Sequence, residues 1–150
     1  GISITTSIPE NKLETNPYPV TKWLLPLVSI QEVAKASISG SSVIIDVRAE
    51  ERYQGYFEPI DKIAGHIPNA VNYPYFDHLT DEGTFRTVEE IQQIYHSIFA
   101  QNNANQIIVH CGSGVTACHT LLALDYAGFP IPNLYIGSWS EWSQNDKFSL

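Results

Sequence analysis

Short apolar runs of β-forming residues alternate along this chain with stretches whose apolar positions recur at helical spacing. Val43-Ile44-Ile45, Val71-Asn72-Tyr73, Gln106-Ile107-Ile108-Val109 and Leu134-Tyr135-Ile136 are the strand candidates. The first and third are wholly apolar at their centres, as expected of strands covered on both faces. Ser29 followed by Glu32, and Thr87 followed by Glu90, are capping-box signatures that open two helices. In the second of these, Ile91, Ile94, Tyr95 and Ile98 follow helical periodicity. Ala49 to Tyr53 suits a short helix, and 117–127 a longer one. Gly40 and Gly128 read as helix stops, with Pro130 and Pro132 barring continuation of the last.

Strands alternating with helices predict an α/β fold: a central parallel sheet of about five strands with helices on both faces. In such sheets ligands bind beyond the carboxyl ends of the strands. Two polar groups of the sequence fall there, Asp46-Val47-Arg48 after the first strand and Cys111 after the third. Residues 1–28, rich in Thr, Ser, Asn and Pro, read as a linker or an extended strap ahead of a domain over 29–150.

Composition narrows the function class. Apolar residues are 43% and charged residues 16% of 150, which is globular rather than disordered, and one domain of this length buries a substantial core. A net charge of −8, with no lysine–arginine cluster, argues against nucleic acid or an acidic membrane as partner. No apolar run approaches the roughly 20 residues of a membrane-spanning helix. The first residues lack the pattern of a signal peptide, and with no methionine in the chain Gly1 reads as a processed start. The two cysteines, Cys111 and Cys118, are too close in sequence for a useful staple, so reduced thiols in a cytoplasmic setting are expected.

The stretch His110-Cys111-Gly112-Ser113-Gly114-Val115-Thr116-Ala117-Cys118 carries the chemistry. A cysteine at a strand end, followed by a glycine-rich turn into a helix, sits where unpaired backbone N–H groups and the helix dipole converge. That field favours a negatively charged sulfur, the nucleophilic form. Gly112 and Gly114 are expected to take positive φ and let substrate approach. Cys111 is therefore the predicted nucleophile, against the reading of a small buried hydrophobe. Ser113 is either a hydrogen-bond donor to substrate or a helix cap. A tyrosine-phosphatase loop would need arginine where Ala117 stands, and a Walker loop would need lysine. His110, Cys111, Cys118 and His119 lack the close-pair spacing of a zinc site, so no metal or cofactor is expected.

Taken together, Asp46-Val47-Arg48, Gly65-His66-Ile67-Pro68-Asn69-Ala70-Val71-Asn72, the Cys111 loop and Gly137-Ser138-Trp139-Ser140-Glu141-Trp142 resemble the rhodanese domain family over roughly residues 29–143. The loop is similar to that of 3-mercaptopyruvate sulfurtransferases, whereas thiosulfate-preferring relatives carry basic residues after the cysteine. The resemblance implies the second, catalytic domain of a two-domain enzyme, with an inactive rhodanese domain ahead of it as partner. It implies a Cys111 persulfide, formed from 3-mercaptopyruvate or thiosulfate and passed to cyanide or to a thiol acceptor such as a thioredoxin-like protein. A non-enzymatic module, carrying persulfide or binding another protein, is the alternative.

Catalytic roles are then expected at Cys111 and Ser113, and substrate binding at Arg48, Gly112, Gly114, Val115 and Thr116. Arg48 is expected to hold the donor carboxylate, against a salt bridge with Glu50, Glu51 or another acid. The arginine that often follows Glu-Pro in the family is absent, because Glu58-Pro59 leads into Ile60-Asp61-Lys62, leaving Lys62 as a candidate replacement. His66 is expected to fix its loop through the backbone, Trp139 and Trp142 to pack, and Arg52 to be structural. Cys118 is expected to be a buried helix cysteine, against a resolving or redox-sensing role.

Overall fold

A computed structural model describes residues 25–145. In chain order it contains α1 (Ile30–Ser39), β1 (Val43–Asp46), α2 (Glu50–Tyr53), β2 (Val71–Asn72), α3 (Val88–Gln101), β3 (Ile107–His110), α4 (Val115–Tyr126), β4 (Asn133–Leu134) and α5 (Ser138–Trp142). Short 3₁₀ turns at Tyr75–His78 and Ala104–Gln106 precede α3 and β3. The four strands are all parallel and lie in the order β2-β1-β3-β4.

The longest pairing joins the two apolar strands at the centre, from Val43 beside Ile107 to Asp46 beside His110. Alternate side chains of each strand enter different cores. Ile45, Val47, Ile107 and Val109 pack with Ile91, Tyr95, Leu121 and Leu124 of α3 and α4. Ile44 and Ile108 pack on the other face with Ile30 and Val33 of α1 and with Trp139 and Trp142 of α5. Two buried faces explain why these strands show no polar alternation. Both capping boxes form: the Ser29 and Thr87 hydroxyls accept from the Glu32 and Glu90 amides, and each glutamate accepts from the cap amide. Gly40 ends α1 in the left-handed region, at φ 65°.

Three expectations change. Among the described residues the sheet has four strands rather than about five. Beyond β4 the chain makes one bridge, Leu27 to Leu134, with the Val28 N–H on the Leu134 carbonyl and the Leu134 N–H on the Pro26 carbonyl. Pro26 has no N–H, so it cannot extend that ladder. The linker or strap over 1–28 lies, up to residue 24, outside the described residues. Second, β4 ends at Leu134, because the chain turns at Ser138, φ 56°, into α5. Third, Cys118 is exposed, since the face of α4 turned toward the sheet is occupied by Ala117, Leu121 and Leu124. The expected roles of His66 and of the two tryptophans hold: His66 bonds through Nδ1 to the Tyr53 carbonyl at 2.8 Å and stacks on the Tyr53 ring, while Trp139 and Trp142 are buried.

His78 is fully buried, with Nε2 2.8 Å from the Tyr95 hydroxyl and its ring stacked on His119. Burial, then the nearby His119, push its pKa down to about 4. The unfolded chain takes up this proton near the ordinary value of 6.5, so stability should fall as pH drops from about 6.5 to about 4, by roughly 2–3 kcal/mol from this group. His78→Asn should be less stable at pH 7 yet lose less between pH 7 and 4.5, read from urea midpoints. An equal loss in both proteins would refute the assignment.

Candidate active site

The Cys111 loop hangs from the end of the central strand β3. Its carbonyls are tied backward to α5: the Trp139 N–H donates to the Cys111 carbonyl at 3.0 Å, and the Ser140 N–H to the Gly112 carbonyl at 2.9 Å. With the carbonyls held there, one amide of the loop is directed at the sulfur. The Gly114 N–H donates to Cys111 Sγ at 3.1 Å. Ser138 supports the same turn, its Oγ accepting from the Cys111 N–H at 3.1 Å and donating to the Tyr135 carbonyl at 3.0 Å. That oxygen lies 4.0 Å from the sulfur.

Gly114 is the glycine that the turn requires. Its φ is +84°, and a Cβ there would stand 2.8 Å from the Ile136 carbonyl oxygen. Gly112 does not take positive φ, contrary to expectation; a Cβ at that position would instead press on the Arg52 guanidinium at 3.4 Å. No side chain caps the first turn of α4, so Ser113 is not a cap. It is exposed, and it lines the cavity.

That cavity, of about 190 Å³, is bounded by Cys111, Gly112, Ser113, Val115 and Thr116 on one side. Arg52, Ile60, Asp61 and Ser140 bound the other. Cys111 is 1% exposed, so its sulfur is approached through this opening and not across the open surface. The structure thus brings together every loop residue predicted for the site, except that Gly114 sits behind the sulfur as a donor. Its place is beneath the cavity, not on its wall.

Arg48 is the correction. Its side chain is buried, with Nε and Nη2 on the Asp46 carboxylate at 2.6–3.0 Å, Nη2 also on the Gly65 carbonyl at 2.7 Å, and Nη1 on Glu58 at 3.2 Å. The guanidinium also lies over the Trp139 ring, 4.9 Å from its centroid. Every edge of the fork is engaged and none faces the cavity, so Arg48 cannot receive a substrate carboxylate. Lys62 is exposed and does not line the cavity either.

Arg52, one helical turn later, is the cavity's cation. Its Nη2 lies 2.7 Å from Glu58 and 3.4 Å from Asp61. Burial pushes the Glu58 carboxyl up, but hydrogen bonds from Arg52 and from the Asp61 and Ile60 amides outweigh this and hold it below the ordinary range. Asp61 in turn accepts from the Ser140 hydroxyl at 2.7 Å. Sequence reasoning missed Arg52, Asp61, Ser138 and Ser140. Ser138 and Ser140 lay within a quoted motif, but nothing local showed that they face Cys111. Behind the loop, His110 is buried, with Nδ1 3.1 Å from the Cys111 carbonyl and its pKa pushed down by burial.

The sequence profile described as the rhodanese-like domain matches residues 29–145. The chain is 46% identical over 99 residues to a Pseudomonas aeruginosa protein named "Probable 3-mercaptopyruvate sulfurtransferase", covering 66% of this chain and 35% of that protein. It is 43% identical over 101 residues to the 3-mercaptopyruvate sulfurtransferase of Rattus norvegicus, covering 66% and 34%. The structure of 3-mercaptopyruvate sulfurtransferase from Leishmania major superposes with a TM-score of 0.66 at 31% identity, over 87% of this chain and 37% of that one. The chain therefore spans about a third of the length of the curated relatives it matches.

The Ile136 contact makes Gly114 sensitive beyond its φ. Gly114→Ala should lose roughly 2–4 kcal/mol of stability, against about 1 kcal/mol for Gly128→Ala, whose φ is +81° but whose Cβ would meet nothing within 4 Å. Urea unfolding of the two variants checks this. Equal losses would mean that the close approach at Ile136 does not constrain the turn.

Proposed function

We propose that this chain, which belongs to the rhodanese-like domain family, is a sulfurtransferase domain that carries sulfur as a persulfide on Cys111. The observation supporting this most directly is the sulfur at the floor of a small cavity, with the Gly114 N–H aimed at it from below and a guanidinium on the facing wall. The curated relatives named as sulfurtransferases support the reaction class.

With 3-mercaptopyruvate as donor, the Cys111 thiolate attacks the donor sulfur and the carbon–sulfur bond breaks. The bonding pair leaves on carbon as the enolate of pyruvate, which takes up the proton given up by the donor thiol, and the sulfur stays as Cys–S–S⁻. With thiosulfate the same attack expels sulfite. In both cases negative charge moves from the cysteine sulfur to the outer sulfur, and loop N–H groups are the donors that follow it. Ser113 is placed to hydrogen-bond the donor or the leaving group. Arg52, rather than Arg48, is the group that would receive the donor carboxylate, with Gly112, Val115 and Thr116 forming the opposite wall.

The persulfide step uses only groups of this domain. Ile60 and Val115 rim the cavity and are largely exposed, so a preceding rhodanese domain is proposed as its further wall in full turnover. A thiol acceptor, of the thioredoxin-like kind, then removes the outer sulfur. A cytoplasmic setting, where both thiols stay reduced, suits this chemistry. Among the described residues no helix is long and apolar enough to cross a membrane.

Incubation with 3-mercaptopyruvate should add one sulfur to the chain by intact mass, released by dithiothreitol and absent from Cys111→Ser. No adduct on the unaltered chain, or the same adduct on the variant, would sink the reading. Transfer to cyanide separates an enzyme from a module that merely holds the persulfide. Arg52→Leu should raise the donor concentration needed for half-maximal loading by about 10–100-fold, the worth of a charge-assisted hydrogen bond, while Arg52→Lys loses less. An unchanged value would remove Arg52 from the donor site.

A further inference from the structure

Two charged side chains line the donor cavity, Arg52 and Asp61, and they do not balance as an anion site would require. Arg52 already shares its guanidinium with Glu58 through bonds of 2.7 and 3.3 Å. Glu58 also contacts Arg48, but the charge of Arg48 is matched by Asp46 at 2.6 Å. Summed over Asp46, Arg48, Glu58, Arg52 and Asp61, the connected wall holds three carboxylates and two guanidiniums. The excess negative charge falls to Asp61, whose contact with Arg52 is the longest of the four carboxylate–guanidinium contacts. It is also held in place: Ser140 Oγ donates to one of its oxygens at 2.7 Å and Arg52 lies 3.4 Å from the other, with the side chain 5% exposed. Ile60, its neighbour on the cavity, offers no polar group, and Lys62 lies outside it.

We propose that Asp61 is a donor-selecting residue, a fixed negative charge that admits a singly charged sulfur donor beside Arg52 and repels a second negative charge. This rests on the persulfide reading above and assigns a selectivity within it. A donor such as 3-mercaptopyruvate brings one carboxylate, for Arg52, and a neutral keto group that the Ser113 hydroxyl can meet. Thiosulfate brings two charges to the same opening. Its second charge faces Asp61 at close range in a cavity partly shielded from water, where Coulomb repulsion is stronger than in bulk solvent.

The test compares the two donors on one protein. Second-order rate constants for sulfur addition to Cys111 are measured by quenched intact mass, with 3-mercaptopyruvate and with thiosulfate, for the unaltered chain and for Asp61→Asn. The ratio of the thiosulfate constant to the 3-mercaptopyruvate constant should rise about tenfold in the variant, mostly through faster thiosulfate loading. Asp61→Ser removes the charge in a smaller side chain and should shift the ratio the same way, which keeps the test decisive if Asp61→Asn folds poorly. Loading by both donors with a ratio unchanged in both variants, or moved toward 3-mercaptopyruvate, overturns the selectivity and leaves the persulfide reading standing. Failure of both donors to load Cys111 in the unaltered chain overturns both readings, whereas thiosulfate loading faster than 3-mercaptopyruvate in the unaltered chain overturns the selectivity alone.

Discussion

The guanidinium of Arg48 ties together segments that lie far apart in the sequence. It takes the Asp46 carboxylate at the end of β1, the Gly65 carbonyl ahead of β2 and the Glu58 carboxylate of the intervening loop, and it lies on the Trp139 ring of α5. A buried guanidinium is costly to desolvate, and such pairs add little net stability over well-packed apolar groups. What they supply is position. Glu58, fixed from one side by Arg48, fixes Arg52 from the other, and so sets where the cavity's cation stands. Trp139 is tied in the same place: its indole N–H donates to the Ile63 carbonyl at 2.9 Å, and its backbone N–H holds the Cys111 carbonyl. The geometry at the sulfur thus depends on a charge that never reaches the cavity.

The loop itself obeys a second constraint, one of backbone accounting. A strand that ends at a buried cysteine leaves carbonyls and amides that need partners. The carbonyls of Cys111 and Gly112 are met by α5, and the amide of Cys111 by Ser138. The amide of Gly114 points at the sulfur, where the chain passes through a left-handed turn. The loop thus turns an amide toward the sulfur while the carbonyls beside it are held by α5. α5 completes it although it lies more than twenty residues downstream.

How much of this could be read from the sequence follows the range of each interaction. The capping boxes at Ser29 and Thr87, the stops at Gly40 and Gly128 and the apolar central strands rest on neighbours within a few residues, and they form where the pattern put them. Cys111 was legible for the same reason: strand, glycine turn and helix are contiguous. The choice between Arg48 and Arg52 was not legible. Both follow β1 closely, and what distinguishes them is Glu58 and Trp139, which the chain brings in from farther away. Asp61 was equally hidden, since its meaning comes from Ser140, 79 positions on. Cys118 was misplaced because α4 is apolar over much of its circumference and shows no clear inward stripe. Of a fifth strand the described residues hold one bridge, Leu27 to Leu134, beside Pro26, which has no N–H to give.

The sheet tapers outward from its middle, since β2 and β4 hold two residues each while β1 and β3 hold four. Short outer strands have few bonds to lose, so breathing motions would begin at the margins, at Val71–Asn72 and Asn133–Leu134. The Cys111 sulfur is suspended from the inner pair, whose amides should be the slowest in the domain to trade their hydrogens with solvent. Loosening at either margin would then reshape the rim of the cavity while the spacing between sulfur and its amide donor stays fixed.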